Sequence, residues 1–246
     1  MLKVVDSAVP VACWSCSIAH NDSTLFCPHC SKIQPPPGAD FFTVFALSPH
    51  LNLDLPSLEK EFHRLSRRLH PDRFARAEPN EKEWSLADTA LLNDAYRTLK
   101  DPITRTEYLL KLNGAEIGEQ HAGKDRRIGE MGASRVPADL LEEVFDLNMQ
   151  LEEMRTEHKI GEEDPSLKQS LIEARKKFDE LRDAVDQDLR AQWDAWDGGD
   201  ESTRQASQKT MVALLDRRRY LSNLVRDVTE TLDGNDGAGV FTQRGR

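Results

Sequence analysis

No stretch of about 18 apolar residues occurs in the 246-residue chain, which excludes a transmembrane helix and leaves a soluble chain with no membrane partner as the expectation. Aromatic residues are scarce, with three Tyr and nine Phe, and the mean hydropathy is −0.62. This suits well-solvated helices better than a β-sandwich. A cationic surplus is missing too. The 33 Lys and Arg face 43 Asp and Glu, so the chain as a whole repels nucleic acid and anionic membranes. Met1 to Ala12 carries Lys3 as its sole base, so neither a secretory signal nor an Arg-rich transit peptide is visible there. Cysteine is absent outside residues 13 to 34.

What is present is helical periodicity, sharply punctuated. Pro35-Pro36-Pro37-Gly38 breaks regular structure after the cysteine-bearing segment. Asp40 is placed to cap a helix over Phe41 to Leu47, and Pro56-Ser57 to start a second one that Pro71 ends. Leu58, Phe62, Leu65 and Leu69 form the buried stripe of that second helix, leaving Lys60, Arg64, Arg67 and Arg68 on its other faces. A third helix is predicted from about Glu81 to Leu99 on Trp84, Ala87, Leu91, Ala95 and Leu99, and a fourth from Ile103 to Leu112. Residues 115 to 136 lack periodicity and read as a linker. Pro137 to about Ile160, Pro165 to about Trp196 and Ser202 to about Leu232 then predict an antiparallel three-helix bundle, with a frayed tail from Gly234. The expected organisation is mostly α: a four-cysteine module over 13–34, a four-helix domain over 40–114, and the bundle over 137–232.

Cys13-x-x-Cys16 and Cys27-x-x-Cys30 are two knuckles whose spacing brings four thiolates around one tetrahedral ion. Four protein ligands leave no open coordination position, so the ion's role is structural, and its binding supplies folding energy that so short a segment lacks. Zn2+ is favoured, and a single iron of the rubredoxin type uses similar knuckles. With the four cysteines complete, His20 and His29 are bystanders. A thiol oxidoreductase is the rival use of CxxC, but the segment has no βαβ context. A zinc ribbon on nucleic acid is the other, and Lys32 is the only Lys or Arg between residues 13 and 34.

His70-Pro71-Asp72 sits between the second and third helices. Proline fixes φ and stops the preceding helix, so the imidazole and the carboxylate project from a loop. Such a tripeptide also arises as an ordinary helix stop. Here Arg64, Arg67 and Arg68 precede it, and Asn93-Asp94-Ala95-Tyr96 follows, with Leu99 and Asp101-Pro102 closing the third helix. The pattern resembles the J-domain. The resemblance implies contact with a DnaK-type ATPase chaperone: Arg64, Arg67 and Arg68 against its acidic surface, and His70, Pro71 and Asp72 near its domain junction.

Residues 137 to 200 hold nineteen acids to eight bases, so the first two bundle helices account for the whole negative balance. Leu140, Val144, Leu147, Leu151 and Met154 fit a buried stripe, while Leu141, Phe145 and Met149 fall beside it. Together with Cys13-Trp14-Ser15-Cys16, Phe26-Cys27-Pro28-His29-Cys30, Tyr108-Leu109-Leu110-Lys111-Leu112 and Arg219-Tyr220-Leu221, the chain from about 13 to 232 resembles the HscB (Jac-type) family of J-domain co-chaperones in iron-sulfur cluster assembly, in its eukaryotic branch. That resemblance implies a bundle binding an IscU-type scaffold protein through Leu141, Phe145, Asp146, Met149, Glu153 and Tyr220. It implies ATPase activation without a catalytic site, and a mitochondrial matrix location, with the cytoplasm as the alternative. A general J-domain co-chaperone with another client is the competing function, and self-association stays open.

Overall fold

The computed structural model describes residues 10–21, 24–117, 137–161 and 164–234. Most of the linker expected over 115–136, the end of the tail (235–246) and part of the turn between the first two bundle helices lie outside the described residues. Two compact units divide the chain, residues 1–115 with 193–205, and 116–192 with 206–246.

The first unit opens with strands β1 (Pro10–Ala12) and β2 (Ala19–Asn21), paired antiparallel with Val11 opposite His20. An isolated bridge joins Phe26 to Ile33. Helix α1 (Phe41–Val44) begins where Asp40 accepts the amides of Phe42 and Thr43 at 2.8 and 3.0 Å, and it stops sooner than its apolar run suggests. Ala46 turns left-handed (φ 54) and the amide of Leu47 bonds back to Phe42. Helix α2 (Leu55–Leu69) is capped by Asp54, and α4 (Pro102–Leu112) by Asp101. Between them, α3 (Pro79–Lys100) carries a reciprocal capping box of Glu78 and Glu81.

In α2 the anticipated stripe holds: Leu58, Leu65 and Leu69 are buried, and Phe62 stacks on Tyr96 with ring centroids 4.1 Å apart. In α3 the buried positions are Glu81, Ser85, Asp88, Leu92, Ala95 and Leu99, so the predicted stripe is displaced over its first half. Polar side chains occupy core-facing sites there, and Trp84 turns to Trp14 of the cysteine module instead.

The predicted bundle helices appear as α5 (Leu141–Ile160, after a 3-10 turn over Ala138–Leu140), α6 (Pro165–Ala191) and α8 (Glu201–Leu232). Gly161 ends α5 in the left-handed conformation (φ 75) that favours glycine. In the second unit Leu140, Val144, Leu147, Leu151 and Met154 pack with Leu167, Leu171, Phe178 and Val185 of α6 and with Leu221, Leu224 and Val228 of α8 in one core. The stretch expected to prolong α6 to Trp196 is a separate short helix, α7 (Trp193–Gly198), and it belongs to the first unit. Its anchors are specific. Arg105 lies over the Trp193 ring at 5.0 Å, and the Asp197 carboxylate accepts the amides of Leu51 and Asn52 at 2.8 and 2.9 Å.

Candidate functional site

The loop after α2 is built from its own sequence. Pro71 has no N–H and cannot continue the helix, so His70 leaves it at φ −53, ψ 128 and Pro71–Phe74 form a 3-10 turn. The freed carbonyl of Leu69 is buried with its residue, and it is satisfied from α3: the Ser85 hydroxyl donates to it at 2.6 Å, and Thr89 lies at 3.4 Å. Thr89 donates chiefly to Ser85 O, at 2.7 Å, so it is the Ser85 hydroxyl that pins the end of α2 beneath the loop. Above it the side chains stay in solvent, His70 at 58% and Asp72 at 91% exposure. His70 Nδ1 lies 3.3 Å from the Asp72 amide and 3.5 Å from the Asp72 carboxylate, so the two side chains are held side by side.

The three arginines before the loop are not equivalent. Arg64 is held by the Glu61 carboxylate, whose pKa that pairing lowers. Arg68 lies over the Phe26 ring, 3.9 Å from its centroid. Arg67 is exposed. The structure therefore brings His70, Pro71 and Asp72 together at the end of α2 and places Arg68 against the cysteine module.

The four cysteines converge. Cys13 and Cys30 have their Sγ atoms 3.6 Å apart, Cys16 and Cys27 3.8 Å, and all four lie within 4.8 Å of one another. Four sulfurs at about 2.3 Å from a tetrahedral ion sit roughly 3.8 Å apart, so the donor set fits one such ion. Each knuckle repeats one backbone pattern: the Ser17 amide donates to Cys13 O and the Cys13 amide to Ile18 O, while Ser31 donates to Cys27 O and Cys27 to Lys32 O. The amides of Ser15 and His29 donate to Cys13 Sγ and Cys27 Sγ, both at 3.4 Å. Burial pushes the Cys13 thiol up, but amide donation and the neighbouring thiols more than offset it and leave it well below its ordinary value. Cys16 moves the other way: a hydrogen bond from the Ile18 amide lowers it, but burial and the thiols of Cys13, Cys30 and Cys27 together outweigh that and push it up to about 12. The first thiolate thus forms readily and opposes the next, until a cation compensates them. His20 is no ligand here. It bonds Gln34 Oε1 at 3.1 Å and Thr24 at 3.2 Å, and Gln34 in turn reaches Cys13 Sγ at 3.6 Å.

On α5 and the turn before it two apolar rows run side by side. Leu140, Val144, Leu147, Leu151 and Met154 are buried, while Leu141, Phe145 (64% exposed) and Met149 follow at i, i+4 and i+8 in solvent, beside exposed Asp146 and Glu153. Tyr220 differs from these: it is 5% exposed within the bundle core, its hydroxyl has no partner among the described residues, and burial pushes it up to about 12.

No family model matches the chain. It is 34% identical over 149 residues to the mouse iron-sulfur cluster co-chaperone protein HscB, covering 59% of each. To the human iron-sulfur cluster co-chaperone protein HscB it is 32% identical over 182 residues, 72% of this chain and 71% of the human one. The chain belongs to the HscB family. A Vibrio vulnificus HscB homolog matches over a shorter stretch, 45% identical over 85 residues and half of that protein's length. The fold agrees with the crystal structure of human HscB (TM-score 0.60, 24% identity, 89% of this chain and 97% of that one) and with Vibrio cholerae HscB (TM-score 0.53, 24% identity, 80% and 99%). The mouse alignment spans less than two thirds of that relative's length.

Several supporting residues of this chain lie outside the patterns legible in its sequence. Ser85 is one; its signal is a hydroxyl at a core-facing step of α3. Ser17 and Ser31 are others, each the residue after a knuckle's second cysteine, at φ 60 and 59. A non-glycine residue there costs about 1–2 kcal/mol. Replacing both by Gly is expected to leave thermal stability unchanged or raised, whereas replacing both by Val should lower it by about 2 kcal/mol or more, since a β-branched residue tolerates this region worst. Coincident melting curves for the two double variants would contradict that account.

Proposed function

We propose that this member of the HscB family is a two-ended adaptor in iron-sulfur cluster assembly. Its J-domain, over 40–114, engages a DnaK-type ATPase through His70, Pro71 and Asp72 with Arg64, Arg67 and Arg68, and stimulates ATP hydrolysis. Its bundle, over 137–232, holds an IscU-type scaffold protein on Leu141, Phe145, Asp146, Met149 and Glu153, with Tyr220 behind them. The single observation that carries this reading is the exposed His70-Pro71-Asp72 loop at the end of a basic helix, held from below by Ser85. The module over 13–34 holds one structural Zn2+ through Cys13, Cys16, Cys27 and Cys30, a closed set of sulfur donors that suits stabilisation of so small a segment. No covalent step by this chain is required. The resemblance to the eukaryotic branch of the family implies the mitochondrial matrix as its location.

The experiment is ATP turnover by the partner chaperone with and without the scaffold. Addition of this chain should raise turnover, and scaffold should raise it further. The combined Leu141→Ala, Phe145→Ala and Met149→Ala variant should lose the scaffold-dependent part and weaken scaffold binding by roughly 30-fold or more, as expected when an exposed aromatic and aliphatic anchor is removed. The three side chains are exposed, so the fold survives. Unchanged scaffold affinity by calorimetry would remove α5 from the reading. Tyr220 is left out because emptying a buried aromatic costs about 3–5 kcal/mol and confounds the result.

A further inference from the structure

Residues flanking the cysteines carry contacts from the thiol centre to the J-domain. Trp14, inside the first knuckle, meets Trp84 edge-on with centroids 5.6 Å apart. Phe26, directly before Cys27, faces the Arg68 guanidinium at 3.9 Å, and Lys32, two residues after Cys30, pairs with Glu81 at 3.0 Å. Arg68 lies in the last turn of α2, and Glu81 in the first turn of α3. The module therefore touches the helices on both sides of the His70-Pro71-Asp72 loop.

Between module and J-domain lies a cleft of about 370 Å³. Phe26 and Ile33 line it from the module and Phe74 from the J-domain, giving an apolar floor. Its charged lining is unbalanced. Lys32 and Glu81 neutralise each other, whereas Arg68 and Arg73 have no carboxylate partner among the described residues, and Glu61, near Arg68, is taken by Arg64. Burial, then the charges of Arg64 and Arg73, push the Arg68 guanidinium below its ordinary value. A guanidinium held partly desolvated on an aromatic face beside like charges is poised for an anion. The apolar floor selects an anion that carries hydrocarbon beside it.

We propose that this cleft is part of the chaperone-docking surface and seats a carboxylate-bearing peptide segment of the ATPase partner, with the four-cysteine module supplying one wall and Phe26 positioning Arg68. The proposal rests on the J-domain reading. It gives the module a part in partner recognition in addition to folding its own segment.

The test titrates full-length chain into the partner chaperone and reads the concentration for half-maximal ATPase stimulation separately from the maximum. Phe26→Ala, which removes the wall, and Ala77→Glu, which places a carboxylate in the cleft, should each raise the half-maximal concentration by roughly tenfold while the maximum is kept. Phe26→Tyr should restore the wild-type value. In nuclear magnetic resonance spectra the Arg68 Nε–H signal should lose its ring-current shift in Phe26→Ala and keep it in Phe26→Tyr, which checks that Phe26 is what positions Arg68 while the half-maximal concentration reads docking. Wild-type half-maximal concentrations for both Phe26→Ala and Ala77→Glu, alongside abolished stimulation by Asp72→Asn, overturn the cleft and leave the J-domain reading standing. Full stimulation by Asp72→Asn overturns that reading and the cleft with it. If Phe26→Ala loses its bound metal, Ala77→Glu decides alone.

Discussion

Asp88→Asn is expected to stabilise the protein, with a gain that grows from about pH 4 to about pH 7 and is constant above. Asp88 is fully buried in α3, and neither carboxylate oxygen finds a hydrogen-bond donor among the described residues. Burial alone pushes its acidity from 3.8 up to about 7. Between those values the folded chain holds a proton that the unfolded chain has released. Stability therefore falls as pH rises through this window, and the whole penalty is present above pH 7. At 1.36 kcal/mol for each tenfold change, the displacement corresponds to about 4 kcal/mol, and local relaxation around the charge brings the expected gain to about 2–4 kcal/mol. Asparagine has nearly the same shape as the protonated acid and cannot ionise, so the packing of Leu92 and Ala95 beyond it is kept. Thermal melting from pH 4 to pH 8 checks this: the difference in Tm between variant and wild type should widen to roughly 10 °C by pH 8. A difference that is flat with pH would show that Asp88 stays ionised in the fold and has a partner there.

Asp88 also marks where sequence legibility ends. The α2 stripe is readable because Leu58, Leu65 and Leu69 all face the same core and obey one period. In α3 the period is the same, but the core-facing steps near the loop carry Glu81, Ser85 and Asp88, and the apolar Trp84 is spent on Trp14. Residue type and burial disagree there because the site needs a hydroxyl under Leu69 O and a carboxylate opposite Lys32. The four-cysteine cluster is legible from its spacing, since two knuckles leave few ways to arrange four sulfurs. That Phe26 supports Arg68 is not, because no local pattern encodes a contact between residues so far apart in the chain. The separation of α7 from α6 is hidden for a similar reason. Helical periodicity continues through Trp193 and Trp196, and what parts them from α6 is tertiary: Arg105 holds the Trp193 ring, and Asp197 takes the amides of Leu51 and Asn52.

Asp72→Asn should abolish stimulation of the partner ATPase while the circular dichroism spectrum and scaffold affinity stay as in wild type. The side chain is 91% exposed, so its replacement changes folding stability by no more than about 0.5 kcal/mol. What it removes is a charge on a rigid mount. Pro71 fixes the turn, Ser85 holds the helix end beneath it, and the Asp72 amide is tied to His70 Nδ1, so the carboxylate is mounted on a fixed backbone before the partner arrives. A charged acceptor set in this way makes the stronger class of hydrogen bond to a cationic donor, and an amide of the same shape does not. Losing one member of a buried charged pair at an interface costs about 2–5 kcal/mol, or roughly 30-fold to several thousand-fold in the affinity of the productive complex. Single-turnover hydrolysis by the chaperone, measured over a range of co-chaperone concentrations, reads this directly. Scaffold affinity is the control, because the exposed row of α5 belongs to a different compact unit from the loop. Undiminished stimulation by the asparagine variant would mean that the loop is only a helix stop, and the arginines of α2 a solvated face.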